Sequence, residues 1–381
     1  MTDSNEVSDV QLNLAQLLGF LEVDPENISL LQDAVTAALS ASDFDNLDLL
    51  MGRLQKLTEL TPPMRNLLAI SYLRRGRFEE ATVIFEQLRG EGQDVPAIRF
   101  NLAWIAALQG RHEDVLTLTD EEVVAKVPRA AAIRVQAMHH LGQIEEALVA
   151  GREMEHIHPH DNYLLGALSV AAMDADNYEL AKSYAAKANG GADALTTQGL
   201  VSLYEDGAEG AVQLFERALI EHPDAPRAWL GKGLCHLSQG DTDAALPCLQ
   251  KGAEIFEDHL GSWIALGWTY FIRKDLAGAR KNFEIALSHD DNFAETHGGL
   301  AVLDVAEGNL ESAQRRAEIA IRLDKQCFGG MLAKAMLAEA RGNKELAKKI
   351  VERAMNVSMG VDGKTLAQAM IGFGMKSDAR H

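Results

Sequence analysis

Residues 263–290 read WIALGWTYFIRKDLAGARKNFEIALSHD, with large side chains at Trp263, Leu266, Tyr270 and Phe283 and small ones at Gly267, Ala279 and Ala286. The stretch is one copy of a unit that recurs along almost the whole chain. Taking the Trp263 position as the first slot, the equivalents are Leu31, Arg65, Arg99, Ala131, Leu165, Leu195, Trp229, His297 and Met331. Seven of the nine steps are 34 residues; 99 to 131 is 32 and 165 to 195 is 30. A period so regular predicts a repeat array in which each unit packs only on its neighbours.

Two further columns say what the unit is. Four residues after the slot stand Val35, Ala69, Ala103, Val135, Ser169, Gly199, Gly233, Gly267, Ala301 and Ala335. Sixteen after it stand Leu47, Ala81, Val115, Ala147, Ala181, Ala211, Ala245, Ala279, Ala313 and Ala347. Small side chains at matching places let two helices approach closely, because interaxial distance depends on the residues at the contact. Between the columns lie turn signals such as Arg75-Gly76-Arg77 and Gln239-Gly240-Asp241, where glycine accepts the left-handed conformation that ends a helix. The unit is therefore helix, tight turn, helix, and ten copies run over residues 28–359.

The unit resembles the tetratricopeptide repeat. Trp263, Leu266, Gly267, Tyr270, Ala279, Phe283 and Ala286 match that family's helix positions, with Asp291 where its closing proline would stand. Leu195, Gly199, Ala211, Phe215, Ala218 and Pro223 supply the proline, and Leu68, Ala69, Tyr72, Ala81 and Phe85 are a third close copy. The resemblance implies an all-α solenoid, a right-handed superhelix of antiparallel helix pairs whose concave face binds peptides or proteins.

Outside the array are a leader, 1–27, and a tail, 360–381. Val10, Leu14, Leu17, Leu18 and Leu21 recur at helical spacing and predict a capping helix from about Ser8 to Glu22. Leu366, Met370 and Phe373 suggest a closing helix at the other end. The shortened step at Asn189-Gly190-Gly191-Ala192 predicts a hinge near Gly190.

Composition narrows the function. The start has no basic, apolar leader of the secretory kind, no run of 18 apolar residues could span a bilayer, and three cysteines make no disulfide framework, so a reducing cytoplasm is expected. With 56 acids against 36 bases, the net charge of −20 opposes binding to nucleic acid or anionic lipid. Residues 1–64 carry eleven acids and two bases, while 311–381 carry thirteen bases and eight acids. Self-association through these oppositely charged ends is one expectation; solvated outer faces are the plainer one.

Catalytic signals are weak. Gly363-Lys364-Thr365 lacks the glycine that a phosphate-binding loop needs five residues earlier. His156, His158 and His160 fall in an inter-repeat turn, and Cys235 and Cys248 read as small buried thiols on one hairpin. No enzyme activity, cofactor or metal is expected.

In the family this chain resembles, the first helix of each hairpin lines the concave face. The inward offsets place there Ile70, Arg74, Phe100, Asn101, Trp104, Arg129, Ile133, Tyr163, Met173, Leu200, Tyr204, Arg227, Leu234, Trp268 and Phe271. The lysine and asparagine set with which the family grips a C-terminal carboxylate is incomplete, since Asn66, Ile70, Phe100 and Asn101 occupy its places. An extended or helical segment with large apolar side chains suits the lining better. Two functions follow: a scaffold or chaperone holding a partner segment, among them accessories of bacterial secretion or assembly systems, or a sensor binding a small molecule or signalling peptide.

Overall fold

The computed structural model describes residues 4–355 apart from 206. Twenty-two helices account for the described chain, and no strand occurs among the described residues. After α1 (Ser4–Val23) come the hairpins: α2 (Ile28–Ser40) with α3 (Phe44–Leu57), α4 (Pro62–Arg74) with α5 (Phe78–Gly90), and α6 (Pro96–Leu108) with α7 (His112–Leu118) and α8 (Glu121–Lys126). Next are α9 (Pro128–His140) with α10 (Ile144–Ile157), α11 (Asn162–Asp174) with α12 (Tyr178–Lys187), and α13 (Ala192–Glu205) with α14 (Ala208–Glu221). The last four pairs are α15 (Pro226–Ser238) with α16 (Thr242–Phe256), α17 (Leu260–Ile272) with α18 (Leu276–His289), α19 (Ala294–Ala306) with α20 (Leu310–Leu323), and α21 (Phe328–Ala340) with α22 (Lys344–Met355). The fold is an all-α solenoid, with ten hairpins among the described residues.

The turns explain why each hairpin closes where it does. Eleven residues after the slot the backbone is left-handed, at Gly76, Gly110, Gly142, Gly240, Gly308 and Gly342, and also at Ser42, Asp176 and Lys274. The next N–H then reaches back five residues, as in Arg77 to the Tyr72 carbonyl and Asp241 to the His236 carbonyl, both 2.9 Å. This satisfies carbonyls that the ending helix would otherwise leave unpaired. That same residue caps the second helix: Asp43, Asn177, Asp241 and Asp275 each accept an N–H three residues on.

The small columns are buried to zero exposure at Val35, Ala69, Ala103, Val135, Ala81, Val115, Ala279 and Ala313. Phe85, Phe215 and Phe283, twenty residues after the slot, are the largest fully buried side chains. Phe283 fits between helices only because its neighbours are glycines: a Cβ on Gly267 or Gly299 would stand 2.7 or 2.5 Å from the ring. Slot side chains tie down the preceding turn, with Trp229 Nε1 donating to the Pro223 carbonyl at 2.8 Å and Trp263 Nε1 to that of Glu257 at 2.5 Å.

Both short steps lose residues from the second helix. In the third unit that helix breaks after Thr119, and Asp120 caps the α8 fragment by accepting the Val123 N–H at 3.0 Å. In the fifth, α12 stops after ten residues, before two left-handed glycines, Gly190 and Gly191. By internal contacts the chain forms two units, 1–164 and 165–381, divided inside α11, so Gly190 lies within the second. There Ser169 of α11 and Thr197 of α13 share a 2.9 Å hydroxyl hydrogen bond.

The leader helix is α1, which buries Leu14 and Leu21 against Leu31, Val35 and Leu47 of the first hairpin. The closing helix expected at Leu366, Met370 and Phe373, and the Gly363-Lys364-Thr365 sequence, lie outside the described residues.

Candidate functional site

In the first unit, the predicted lining gathers around one arginine. The exposed Arg129 guanidinium, at the start of α9, lies 3.7 Å from the ring centre of Tyr163 and 5.3 Å from that of Trp104. Phe100, one helical turn before Trp104, is tilted against it with ring centres 6.1 Å apart. Ile133 is only 3% exposed and forms the packing beneath these rings with Ala103, Ala106 and Val115. Asn101 is half-buried, and Ile70 packs against Ala69 and Phe85. The exposed Arg74 donates to the Leu39 carbonyl at 2.9 Å. Neither Arg74 nor Arg129 makes an ion pair among the described residues.

In the second unit the lining residues do several jobs. Arg227 is held bidentately by Asp174 at 2.6 and 3.0 Å, with Phe256 beneath its guanidinium at 5.7 Å. His259, stacked on Phe256, is held below the usual imidazole range by burial and by Arg227. Leu234 is exposed at 38%. Trp268 packs edge-on against Phe271 and Phe283 and tilted against Phe328, 5.4–5.8 Å between centres, so it stitches neighbouring hairpins together. It also hydrogen-bonds Glu295, whose carboxylate accepts the Gly329 N–H and the Cys327 thiol at 3.1 Å. Burial outweighs these donors and raises the Glu295 carboxyl above the ordinary carboxylate range.

Met173, Leu200 and Tyr204 come together on a cavity of about 580 Å³. Its wall also includes Asp176, Tyr178, Glu179 and Glu205, which the sequence reading missed because only first-helix offsets were searched and three of these four sit in the turn and on α12. The available signal was Asp176 itself, a carboxylate in the left-handed column where six hairpins have glycine.

The thiols are buried, and one of the turn histidines has a structural partner. Cys235, Cys248 and Cys327 are buried free thiols, and burial pushes the Cys235 thiol up to about 11, which suppresses thiolate chemistry. His158 bonds the Val124 carbonyl at 2.7 Å. Among the described residues no group of three or more His, Cys, Asp or Glu could hold a metal, and no helix is long and apolar enough to cross a membrane.

The helix pairs, their turn chemistry and their packing columns define a helical repeat protein. Comparison with known proteins gives the repeat its family: the tetratricopeptide repeat matches residues 66–131 and 196–259. Those two stretches of the chain carry the tetratricopeptide repeat. It is 28% identical over 113 residues to "Tetratricopeptide repeat protein 8" of Caenorhabditis elegans, a match covering 29% of this chain and 22% of that protein. The chain thus spans about a fifth of the length of the curated relative it matches. Among solved structures, the Cut9–Hcn1 hetero-tetramer of the APC/C aligns with a TM-score of 0.59 at 13% identity, over 86% of this chain and 64% of that one. A monomeric mutant of IFIT1 with Gppp-AAAA aligns with a TM-score of 0.51 at 14% identity, over 92% and 95%. At such identities the likeness concerns the fold.

Proposed function

We propose that this protein is a non-catalytic scaffold that holds a segment of a partner protein on its first-helix face, anchored at Phe100, Trp104, Arg129 and Tyr163. The observation that carries this reading is the state of Arg129. Arg227 occupies the same position of its repeat and is neutralised by Asp174, which stands nine residues after the slot two units earlier. The position equivalent to Asp174 for Arg129 is Arg74, another cation. A guanidinium fixed between two rings and lacking a carboxylate presents charge, hydrogen-bond donors and aromatic surface together, the composition of an interface hot spot. A partner segment with a carboxylate beside apolar residues satisfies all three. The net charge of −20 argues against a polyanion as that partner.

Chaperone service to a bacterial secretion or assembly machine in the cytoplasm is the setting we propose for such a face. Self-association through the acidic head and basic tail is a separate part of the proposal. It predicts a sedimenting mass that falls toward one chain as salt is raised.

The test is capture of partners by the wild-type chain, by Arg129→Gln and by Trp104→Ala, followed by affinity measurement on the captured protein. Arg129 is exposed, so its replacement leaves folding intact; binding should weaken by about 2 kcal/mol, roughly 30-fold. Full affinity in both folded variants would remove this face from the function.

A further inference from the structure

The cavity of the second unit lies where α11 and α13 end and α12 begins. Its charge is one-sided. Asp176, Glu179 and Glu205 line it, and no Lys, Arg or His does. Glu205 is matched by Lys182 at 2.7 and 2.9 Å, whereas Asp176 and Glu179 make no ion pair among the described residues. The helix ends add to this: two C-termini direct partial negative charge toward the cavity, against one N-terminus already capped by Asn177, which accepts the Leu180 N–H.

The remaining wall suits the rest of a long cationic side chain. The Tyr178 and Tyr204 rings are parallel to within 3° with centres 5.9 Å apart. That spacing is below the roughly 7 Å that a planar guest between two rings needs at ordinary contact distances, so a guest stacks on the outside of the pair. Both rings keep more than a third of their surface exposed. Met173 and Leu200 offer the apolar surface along which a methylene stem lies while its charged head stays near water and carboxylates.

We propose that this cavity seats an arginine side chain presented by a partner's peptide segment. Its planar guanidinium stacks on a tyrosine face while its donors reach Asp176 and Glu179, a combination that a compact ammonium does not match. The assignment rests on the reading that first-helix surfaces dock partner segments, and it adds the chemistry that one of them selects.

The experiment uses the full chain carrying ¹³C-methyl methionine, with the Met173 signal assigned through Met173→Leu. The probe is an acetylated, amidated pentapeptide, Leu-Ala-Arg-Ala-Leu, with a twin bearing glutamate at the centre. The arginine peptide should shift the Met173 methyl saturably and the glutamate twin should not. In the double variant Asp176→Asn, Glu179→Gln, the affinity should fall about tenfold; asparagine tolerates the left-handed backbone at 176 and both replacements keep size. Tyr204→Leu gives a second, uncharged route to the same loss, and thermal melts check that each variant folds. No saturable shift at Met173, an equal response to the glutamate twin, or unchanged affinity in the double variant would overturn the assignment. Those outcomes leave the Arg129→Gln capture experiment untouched, so failure here and failure of the scaffold reading are separable.

Discussion

Gly298→Ala is the substitution for which the structure sets the size of the effect most directly. A Cβ at Gly298, on α19, would stand 2.5 Å from the Gly330 nitrogen and 2.7 and 2.8 Å from the Gly329 carbonyl carbon and Cα on α21. Ordinary contact begins near 3.4 Å, so the helices must part by about 0.9 Å, and the obstacle is backbone, which has no rotamer to change. A gap of that size forfeits a quarter to a half of the dispersion energy across the contact, and overpacking of this kind costs about 1–3 kcal/mol. Because the clash is backbone on backbone we take the upper end, about 3 kcal/mol. Alanine's better helix propensity returns about 1 kcal/mol, leaving a net loss of about 2 kcal/mol. Gly52→Ala is the control: Gly52 lies within α3 with nothing within 4 Å of an added Cβ, so only the propensity gain of about 1 kcal/mol remains. Repeat arrays need not unfold in one step, so hydrogen exchange resolved by helix is the assay, beside urea melts. Amides of α19 and α21 should exchange faster in Gly298→Ala while those of α2–α5 do not change. Equal or greater protection would refute the close approach of these two first helices.

Trp268→Ala should destabilise the second unit by about 3–5 kcal/mol, read by urea denaturation, because it removes the shared neighbour of Phe271, Phe283 and Phe328. Lys274→Gly should raise the melting temperature by relieving a left-handed lysine (φ 63°), a gain of about 0.5–1 kcal/mol after the added freedom of the unfolded chain is subtracted. For Glu295 the folded carboxyl titrates above its unfolded value, so the native state holds the extra proton. Its stabilising contribution is complete below the unfolded value of about 4.3 and is lost as pH rises through the raised one. Melting temperatures of wild type should accordingly fall with pH across that window relative to Glu295→Gln, and parallel profiles would exclude the effect. Replacing Gly190 and Gly191 together by alanine should stiffen or disrupt the proposed bend, visible as a changed interdistance between spin labels on α11 and α15; an unchanged distribution would place no hinge there.

Ten copies of one unit made the fold legible, since each column is read ten times within a single chain. The left-handed turn, the buried small columns and the capping helix all follow from residues such as Gly76, Ala81 and Leu14. The split second helix of the third unit was less visible, although Thr119-Asp120-Glu121-Glu122 holds a capping aspartate where the other copies continue a helix. The site was legible only by position. Trp104 and Trp268 share one offset, five after the slot, yet Trp268 rests on Phe283 while the residue at the Phe283 position in the third unit is Thr119. Without that ring beneath it, Trp104 turns its face to Arg129. What a column residue does is decided by partners one or two units away, and a single column does not contain them.

The same logic bears on the two proposals, because equivalent positions are paired in one unit and left unpaired in the other. In the second unit the pairing of Arg227 with Asp174 cancels the cation, and the nearby cavity carries Asp176 and Glu179 without counter-ions, so its open valence is negative. In the first unit the Asp174 position is Arg74 and the Arg227 position is Arg129, so its open valence is positive, within a chain whose net charge is −20. Surface charge left unpaired contributes little to folding, since exposed pairs are worth about 0–1 kcal/mol. Its value lies in rejecting the wrong partner, because juxtaposed like charges cost more than a missing attraction. On the two proposals made above, a segment carrying a carboxylate beside apolar residues would be accepted by the Arg129 face and repelled at the Asp176 cavity, and an arginine-bearing segment would meet the reverse. The arginine itself is common to both units; what the two proposals rest on is Arg74 against Asp174 at one offset, together with the carboxylates Asp176 and Glu179 at two others.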